Sequence, residues 1–269
     1  MDPATLIGIV LAFASLLAMI FMEGASPSAL ILPAPMILVF GATFAVGIAS
    51  TTLPDAIQAL KALPRAFLGK VTPPRAVIDQ VVGLAEVARR NGLLALEQEA
   101  EGVTDPFLKR ALQNIADGVD ADDLRIMMED EAATRERGGR AAAKFWNSLG
   151  GFAPTIGIIG TVVSLTHVLE QLSNPETLGH AIAAAFVATL WGVLSANFLW
   201  LPIGGRIGKL TDLESEQMTL LIEGVMALQA GSQPRLLGER LLALVPEHQQ
   251  GKGGRDKGGK AEKAEEQAA

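Results

Sequence analysis

The amino-acid sequence predicts an all-α, polytopic membrane protein with four transmembrane helices and a helical cytoplasmic domain. Three observations support this fold class: four charge-free stretches, a one-sided distribution of Lys and Arg, and helical spacing of apolar residues elsewhere. Asp, Glu, Lys and Arg are absent from residues 3–22, 24–54, 145–169 and 177–205. A helix that crosses a bilayer needs about 20 predominantly apolar residues. Each stretch is therefore long enough for one crossing helix.

The four predicted spans follow from these stretches. The first covers residues 5–22. The second stretch opens with three prolines and two serines over residues 24–35, which predicts a loop followed by a span over 35–52. The third and fourth spans cover 152–169 and 181–203. A soluble protein with four buried helices is the alternative, but helices of soluble proteins usually keep a polar face.

The Lys and Arg residues predict the orientation. Thirteen lie within residues 55–144 and nine lie from Arg206 onward, which accounts for all 22. The short connections 23–32 and 170–178 contain none. Because positively charged loops stay on the cytoplasmic side, we expect both termini and the middle segment in the cytoplasm. The expected location is therefore a membrane, which the chain crosses several times.

The predicted domain organisation alternates membrane and polar segments. The segments are residues 1–54 with spans one and two, 55–144 as a cytoplasmic helical loop, 145–205 with spans three and four, 206–248 as cytoplasmic helices, and 249–269 as a disordered tail. Apolar residues recur every three or four positions in the polar segments, which predicts helices and no sheet. The predicted helices lie over 54–70, from 75 to a break at 91–92, from 93, from 104 to 118, and over 122–137, 210–228 and 234–244.

The sequence offers no catalytic or metal-binding motif. It has no phosphate loop, no nucleophile elbow and no Cys, and its three His are far apart, so we expect no enzyme, no cofactor and no metal site. The net charge of −7 argues against a nucleic-acid partner. Ion conduction through lipid normally needs an ionisable group or a ring of oxygens along the path. Because the spans contain no carboxylate and no Lys or Arg, another subunit would have to supply the charge.

Hydroxyls and prolines are the remaining candidates within the spans. Thr161 and Ser164 share a helix face in span three, and Thr189 lies in span four. Each could simply bond to its own helix. Pro154 could start span three, where proline is tolerated, or bend it. Pro202 allows the same two interpretations, of which a helix stop is favoured.

Several motifs in order along the chain resemble the MotA/PomA family, the ion-channel subunits of the bacterial flagellar stator. The resemblance extends from residue 1 to about Pro246. It is carried by the opening MDPATLIG, ARRNGLLALE at 88–97, DGVDAD at 117–122, APTIGIIGTV at 153–162, and ATLWG at 188–192 through Leu201-Pro202.

The resemblance implies an assembly and a mechanism. It implies a homo-pentamer around a dimer of MotB-like subunits, each of which supplies a channel Asp, and a cytoplasmic contact with the rotor protein FliG. By position, Thr161 and Thr189 match hydroxyls of the ion path, and Pro154 and Pro202 match the functional prolines. The residues matching the proposed rotor contact are Arg89, Arg90, Glu97 and Glu99; the alternative for these four is a solvated helix face.

Three departures from sodium-type relatives favour protons over sodium as the transported ion. Gly151, Ala188 and Ile31 stand where those relatives carry an oxygen-bearing side chain that could help a hard cation shed water. Because Thr161 and Thr189 are retained, sodium stays the alternative transported ion. An ExbB/TolQ-like energising subunit of outer-membrane processes is the first alternative function, although such proteins have three spans. A secondary transporter is the second, but the two span pairs show no internal repeat.

Overall fold

The computed structural model describes residues 4–170 and 175–250. Every regular element within those residues is a helix, which confirms the all-α prediction. The predicted disordered tail lies outside the described residues from position 251 onward. Its first residue, Gln249, ends a short 3-10 helix that begins at Glu247.

The helices follow one another with short connections. In chain order they are α1 (Ala4–Met22), α2 (Pro33–Ala49), α3 (Leu53–Lys61), α4 (Leu63–Leu68), α5 (Pro74–Asn91), α6 (Leu96–Gly102), α7 (Pro106–Ala116), α8 (Ala121–Glu170), α9 (Pro175–Ser195), α10 (Leu201–Gln229) and α11 (Pro234–Ala243). A π turn lies within α2 at Ile37–Gly41, and a second, Ala196–Trp200, joins α9 to α10.

Three helical segments of the described chain are long and apolar enough to cross a membrane. They are α1, α8 and the segment Ala181–Gln229. Helix α2 is apolar but has 17 residues, which is at the short end of the range for a spanning helix. The membrane character of the chain is therefore clear from its helices, and the count of four crossings stays a prediction.

Contacts divide the chain into two compact units. The first unit contains residues 1–70 and 137–211, and the second contains residues 71–136 and those from 212 onward. Helices α8 and α10 contribute residues to both. These borders follow contacts, whereas the predicted domain borders follow charge, so the assignment of segments to membrane and cytoplasm stays a prediction.

Aromatic and alanine side chains fill the core of the first unit. The Trp146 and Trp200 rings stack with centroids 6.0 Å apart, and Phe44 meets Trp200 edge-on at 5.2 Å. The Trp146 indole N–H donates to the carbonyl of Ala59 over 3.0 Å. A buried indole N–H usually finds such a partner, and this one ties α8 to α3.

Leucine, isoleucine and valine fill the core of the second unit. Helix α7 buries the apolar face predicted for it: Phe107, Leu108, Ala111, Leu112 and Ile115. The Asp105 side chain caps this helix by accepting the backbone N–H of Phe107 over 2.8 Å. Helix α5 ends at Asn91, and the next residue, Gly92, has a φ of +83°, which is readily adopted only by glycine.

Two predicted helix boundaries are wrong. Helix α8 runs unbroken through the predicted helix 122–137 and span 152–169. Gly138 and Gly139 lie within this helix and do not interrupt it. Gly139 packs so closely on Thr211 that an added Cβ would collide with the Thr211 side chain. The predicted helix 54–70 divides into α3 and α4, since Pro64 has no N–H to continue the ladder.

Candidate functional site

Helices α8 and α9 approach each other until their backbones touch. A Cβ at Gly157 would lie 2.9 Å from the carbonyl oxygen of Ala188 and 3.2 Å from the Cα of Gly192. A Cβ at Gly192 would lie 2.7 Å from the carbonyl oxygen of Ala153 and 3.3 Å from the Cα of Pro154. No larger residue fits at either glycine without separating the helices. We call this contact of Gly157 with Gly192 the glycine crossing.

The two predicted path threonines meet one turn from the glycine crossing. The hydroxyls of Thr161 and Thr189 form a hydrogen bond across the helix pair. Thr161 Oγ1 also lies 3.1 Å from the carbonyl oxygens of Gly157 and Ala185. Both side chains are half-buried. The structure therefore brings two hydroxyl and two carbonyl oxygens together between the two helices. Their role in an ion path stays a prediction.

Three other polar side chains of the apolar segments bond to their own helices. Thr155 and Thr166 donate to carbonyls three residues earlier in α8, over 2.8 and 2.7 Å. The Asn197 amide donates to the Val193 carbonyl over 2.8 Å. These groups satisfy themselves locally, as the alternative interpretation expects. The Thr161–Thr189 pair differs because it joins two helices.

The structure changes the interpretation of both prolines. Pro154 lies in the interior of α8, so the interpretation that this proline starts the helix is wrong. Proline has no N–H for the carbonyl of Gly150, which removes one bond from the helix ladder. Helix α10 continues through Pro202 to Gln229, so the favoured helix stop is also wrong. The π turn just before Pro202 widens the helix where the proline N–H is missing.

The two prolines lie in different surroundings. Pro154 adjoins the glycine crossing, with its Cα 3.3 Å from a Cβ built at Gly192. Pro202 lines a cavity between α10 and α1. Within the described structure the prolines therefore mark two separate places at which helix packing could change.

The four candidate rotor-contact residues lie on either side of one turn. Arg89 and Arg90 end α5, and Glu97 and Glu99 begin α6 after the Gly92 turn. All four side chains are exposed. Arg90 pairs with Glu86 of its own helix at 3.4 Å. The turn thus presents basic and acidic groups side by side, as either a solvated face or a docking surface would.

Sequence reasoning missed an exposed leucine at the same turn. Leu94 is 75% exposed, while its neighbour Leu96 is fully buried beneath the acidic residues of α6. The predicted helix that begins at residue 93 contained both leucines. Leu94 lies in the 3-10 turn Leu93–Ala95, whereas Leu96 begins the α-helix that follows it.

The model of the MotA/TolQ/ExbB proton channel family matches residues 99–219, and the model of the Motility protein A N-terminal family matches residues 6–92. Neither is a family of enzymes. Motility protein A of Bacillus subtilis (strain 168) is 36% identical over 252 residues, covering 91% of this chain and 92% of that protein.

The chain belongs to the motility protein A family.

Solved structures agree with this membership. A structure of C. jejuni MotAB matches with a TM-score of 0.87 and 28% identity, covering 92% of this chain and 97% of that one. The flagellar MotAB stator complex of Bacillus subtilis matches with a TM-score of 0.85 and 32% identity, covering 94% and 100%. The chain is a stator subunit of the bacterial flagellar motor. Because the likeness to motility protein A covers 91% of this chain and the Motility protein A N-terminal model matches residues 6–92, the ExbB/TolQ alternative is not favoured.

Proposed function

We propose that this stator subunit forms an ion channel with a MotB-like partner and converts ion-motive force into torque on the rotor. The observation that carries the proposal is the Thr161–Thr189 hydroxyl pair beside the glycine crossing. These oxygens lie in spans without any Asp, Glu, Lys or Arg. A path through them therefore requires a carboxylate from another chain, which a MotB-like Asp would supply.

The surface of α8 supports a partner helix beside this pair. Ile158 and Val162 are each 57% exposed and lie one turn apart on α8. An apolar helix with a single Asp could pack on this surface and place its carboxylate near the hydroxyls. The family resemblance implies the stoichiometry, a homo-pentamer around a dimer of the partner.

Protons are the proposed ion, with sodium as the alternative. Hydrated sodium needs several oxygens to replace its water, and the Thr161 and Thr189 hydroxyls already bond to each other. Ala188 is fully buried against the glycine crossing and offers no side-chain oxygen. A proton needs only a carboxylate and a hydrogen-bonded route to it.

Pro154 and Pro202 are the proposed sites of conformational coupling. Pro154 weakens the α8 ladder directly beside the glycine crossing. Protonation of a nearby partner Asp would therefore act on a helix that already lacks one hydrogen bond. Pro202 would carry the movement past the π turn into α10.

Torque would pass to FliG through the charged turn of Arg89, Arg90, Glu97 and Glu99. This requires the turn to face the cytoplasm. The Lys and Arg distribution supports that orientation, with both termini inside and a multi-pass chain in the inner membrane.

Swimming speed in a deletion strain tests the ion path. The strain carries wild-type chain, Thr189→Val or Ser15→Ala, in media with and without sodium at constant proton-motive force. We expect wild type to swim equally in both media and Thr189→Val to swim several-fold more slowly at low proton-motive force. Ser15→Ala should match wild type, because the Ser15 hydroxyl donates to the Leu11 carbonyl of its own helix over 2.8 Å and has no other partner among the described residues.

Each comparison has an outcome that contradicts it. If wild type stopped swimming without sodium, the proton assignment would be wrong. If Thr189→Val swam normally at low proton-motive force, Thr189 would not lie on the path. Failure of the chain to co-purify with a MotB-like partner would remove the channel proposal itself.

A further inference from the structure

We propose that a groove between α1 and α10 binds one anionic phospholipid of the surrounding membrane. The groove has a volume of about 420 Å³. Its α1 wall includes Ala4, Gly8 and Ala12, and the facing wall includes Phe198, Arg206 and Lys209.

The spacing of the lining residues makes the groove long and narrow. Ala4, Gly8 and Ala12 are four residues apart, so they lie on one face of α1. At 1.5 Å per residue this face extends for about 12 Å. All three side chains are small, and a Cβ at Gly8 would have no other atom within 4 Å. The groove is therefore open at its middle and wide enough for an extended chain.

The groove is apolar at one end and basic at the other. The Phe13 and Phe198 rings meet edge-on at 5.4 Å, which marks the apolar end. Asn197 also lines this end, but its amide donates to a carbonyl of its own helix. As α1 runs back towards Ala4, the facing wall runs forward to Arg206 and Lys209. The cations therefore lie at the Ala4 end, and no carboxylate is among the described residues that line the groove.

This polarity matches an anionic phospholipid better than other occupants. The phosphate would lie at Arg206 and Lys209, and an acyl chain would lie along Gly8 and Ala12 towards Phe198. Basic pockets at the cytoplasmic ends of membrane helices commonly hold anionic head groups. The inference rests on the proposed orientation, with α1 beginning at the cytoplasmic face, and does not depend on which ion the stator uses.

Native mass spectrometry of the chain with its partner, in mild detergent, tests the proposal. Phosphatidylglycerol and phosphatidylethanolamine with the same acyl chains are added separately. We expect one phosphatidylglycerol per chain, held at least fivefold more tightly than phosphatidylethanolamine. Lys209→Gln should remove the head-group preference, and Gly8→Leu should fill the groove and weaken both lipids.

Two matched variants serve as controls. Lys144→Gln removes an exposed cation close to the start of the apolar part of α8, and Ala14→Leu enlarges an exposed position on another part of α1. Both should bind phosphatidylglycerol as wild type does. Each variant complex must first elute like wild type, and if Gly8→Leu fails this check, Lys209→Gln alone decides the test.

Three results would overturn the proposal. They are equal affinity for the two lipids in wild type, unchanged binding in Lys209→Gln, and no retained lipid in wild type. None of these results tests whether the chain drives rotation, so the lipid proposal can fail while the stator function holds.

Discussion

The two units of this chain are stabilised by different residues. In the first unit, alanines and glycines bring helices together and aromatic rings fill the remaining space. In the second unit, leucine, isoleucine and valine form a continuous core. Lipid provides no hydrophobic force between helices, so close backbone contact and hydrogen bonds must hold the spans. In water, burial of large apolar side chains supplies the driving force.

Core truncation in the second unit should have the largest effect on stability. Leu112 is fully buried in α7, whereas Leu94 is 75% exposed. Leu112→Ala should lower the free energy of unfolding by about 2–5 kcal/mol, because it leaves a cavity. Leu94→Ala should change it by about 0.5 kcal/mol or less. Denaturant unfolding of the purified complex measures both, and equal losses would show that Leu112 is not a core residue.

Enlarging the glycine crossing should have the next largest effect. Gly157→Ala forces a methyl group to within 2.9 Å of the Ala188 carbonyl. We expect a loss of about 1–3 kcal/mol from overpacking, together with loss of rotation. Gly151→Ala in the same helix has open space and should be neutral or stabilising, since alanine favours helix. Thermal unfolding and bead rotation measure the pair, and similar behaviour of the two variants would contradict a backbone contact.

The two stacked tryptophans of the first unit differ in the hydrogen bonding of their indole N–H groups. Trp146 donates its indole N–H to Ala59, while the buried Trp200 N–H has no acceptor among the described residues. Trp146→Phe should cost about 1–3 kcal/mol, because the Ala59 carbonyl loses its partner. Trp200→Phe loses ring area alone and should cost less. Thermal unfolding separates them, and a larger cost for Trp200→Phe would reverse this assignment.

The smallest effect is expected at an ion pair of the second unit. Arg125 lies 3.0 Å from Glu223, and this hydrogen bond raises the pKa of Arg125 above its ordinary value. Because the folded-state pKa is raised, the stabilisation is fully present below the unfolded-state pKa. This stabilisation is lost only as pH rises through the folded-state pKa. Both values are far above neutrality, so Arg125 stays charged. Arg125→Gln should cost about 0–1 kcal/mol, equally at pH 6 and pH 9 by denaturant unfolding. A cost that changed between these pH values would point to another titrating group.

Local patterns predicted the elements, and long-range contacts determined the site. Charge-free stretches indicated the apolar helices, and three-to-four spacing indicated the buried face of α7. Neither pattern distinguishes Gly157 and Gly192 from other glycines, because their contact depends on how two helices pack. The Thr161–Thr189 bond has the same origin, since the alternative of a bond within one helix fits the sequence equally well. The family resemblance indicated both threonines as ion-path residues, and the structure shows the hydrogen bond between them.

Helix continuity was the feature least accessible from sequence. The glycine pair before Arg140 and the internal Pro154 both suggest breaks in α8, yet the helix continues through them. Gly139 packs closely on Thr211, and Pro154 lies against Gly192. Close tertiary contacts are therefore present at both places where local preference would end the helix.

Rotation of single motors tests the stator function most directly. A deletion strain with assembled flagella is given the wild-type gene under inducible control while a bead on one filament is tracked. We expect no rotation before induction and a rise in speed in equal steps as stator units join the motor. We also expect no steps when the channel Asp of the partner is changed to Asn. Full-speed rotation in the uninduced deletion strain, or normal steps with the partner Asn, would contradict it.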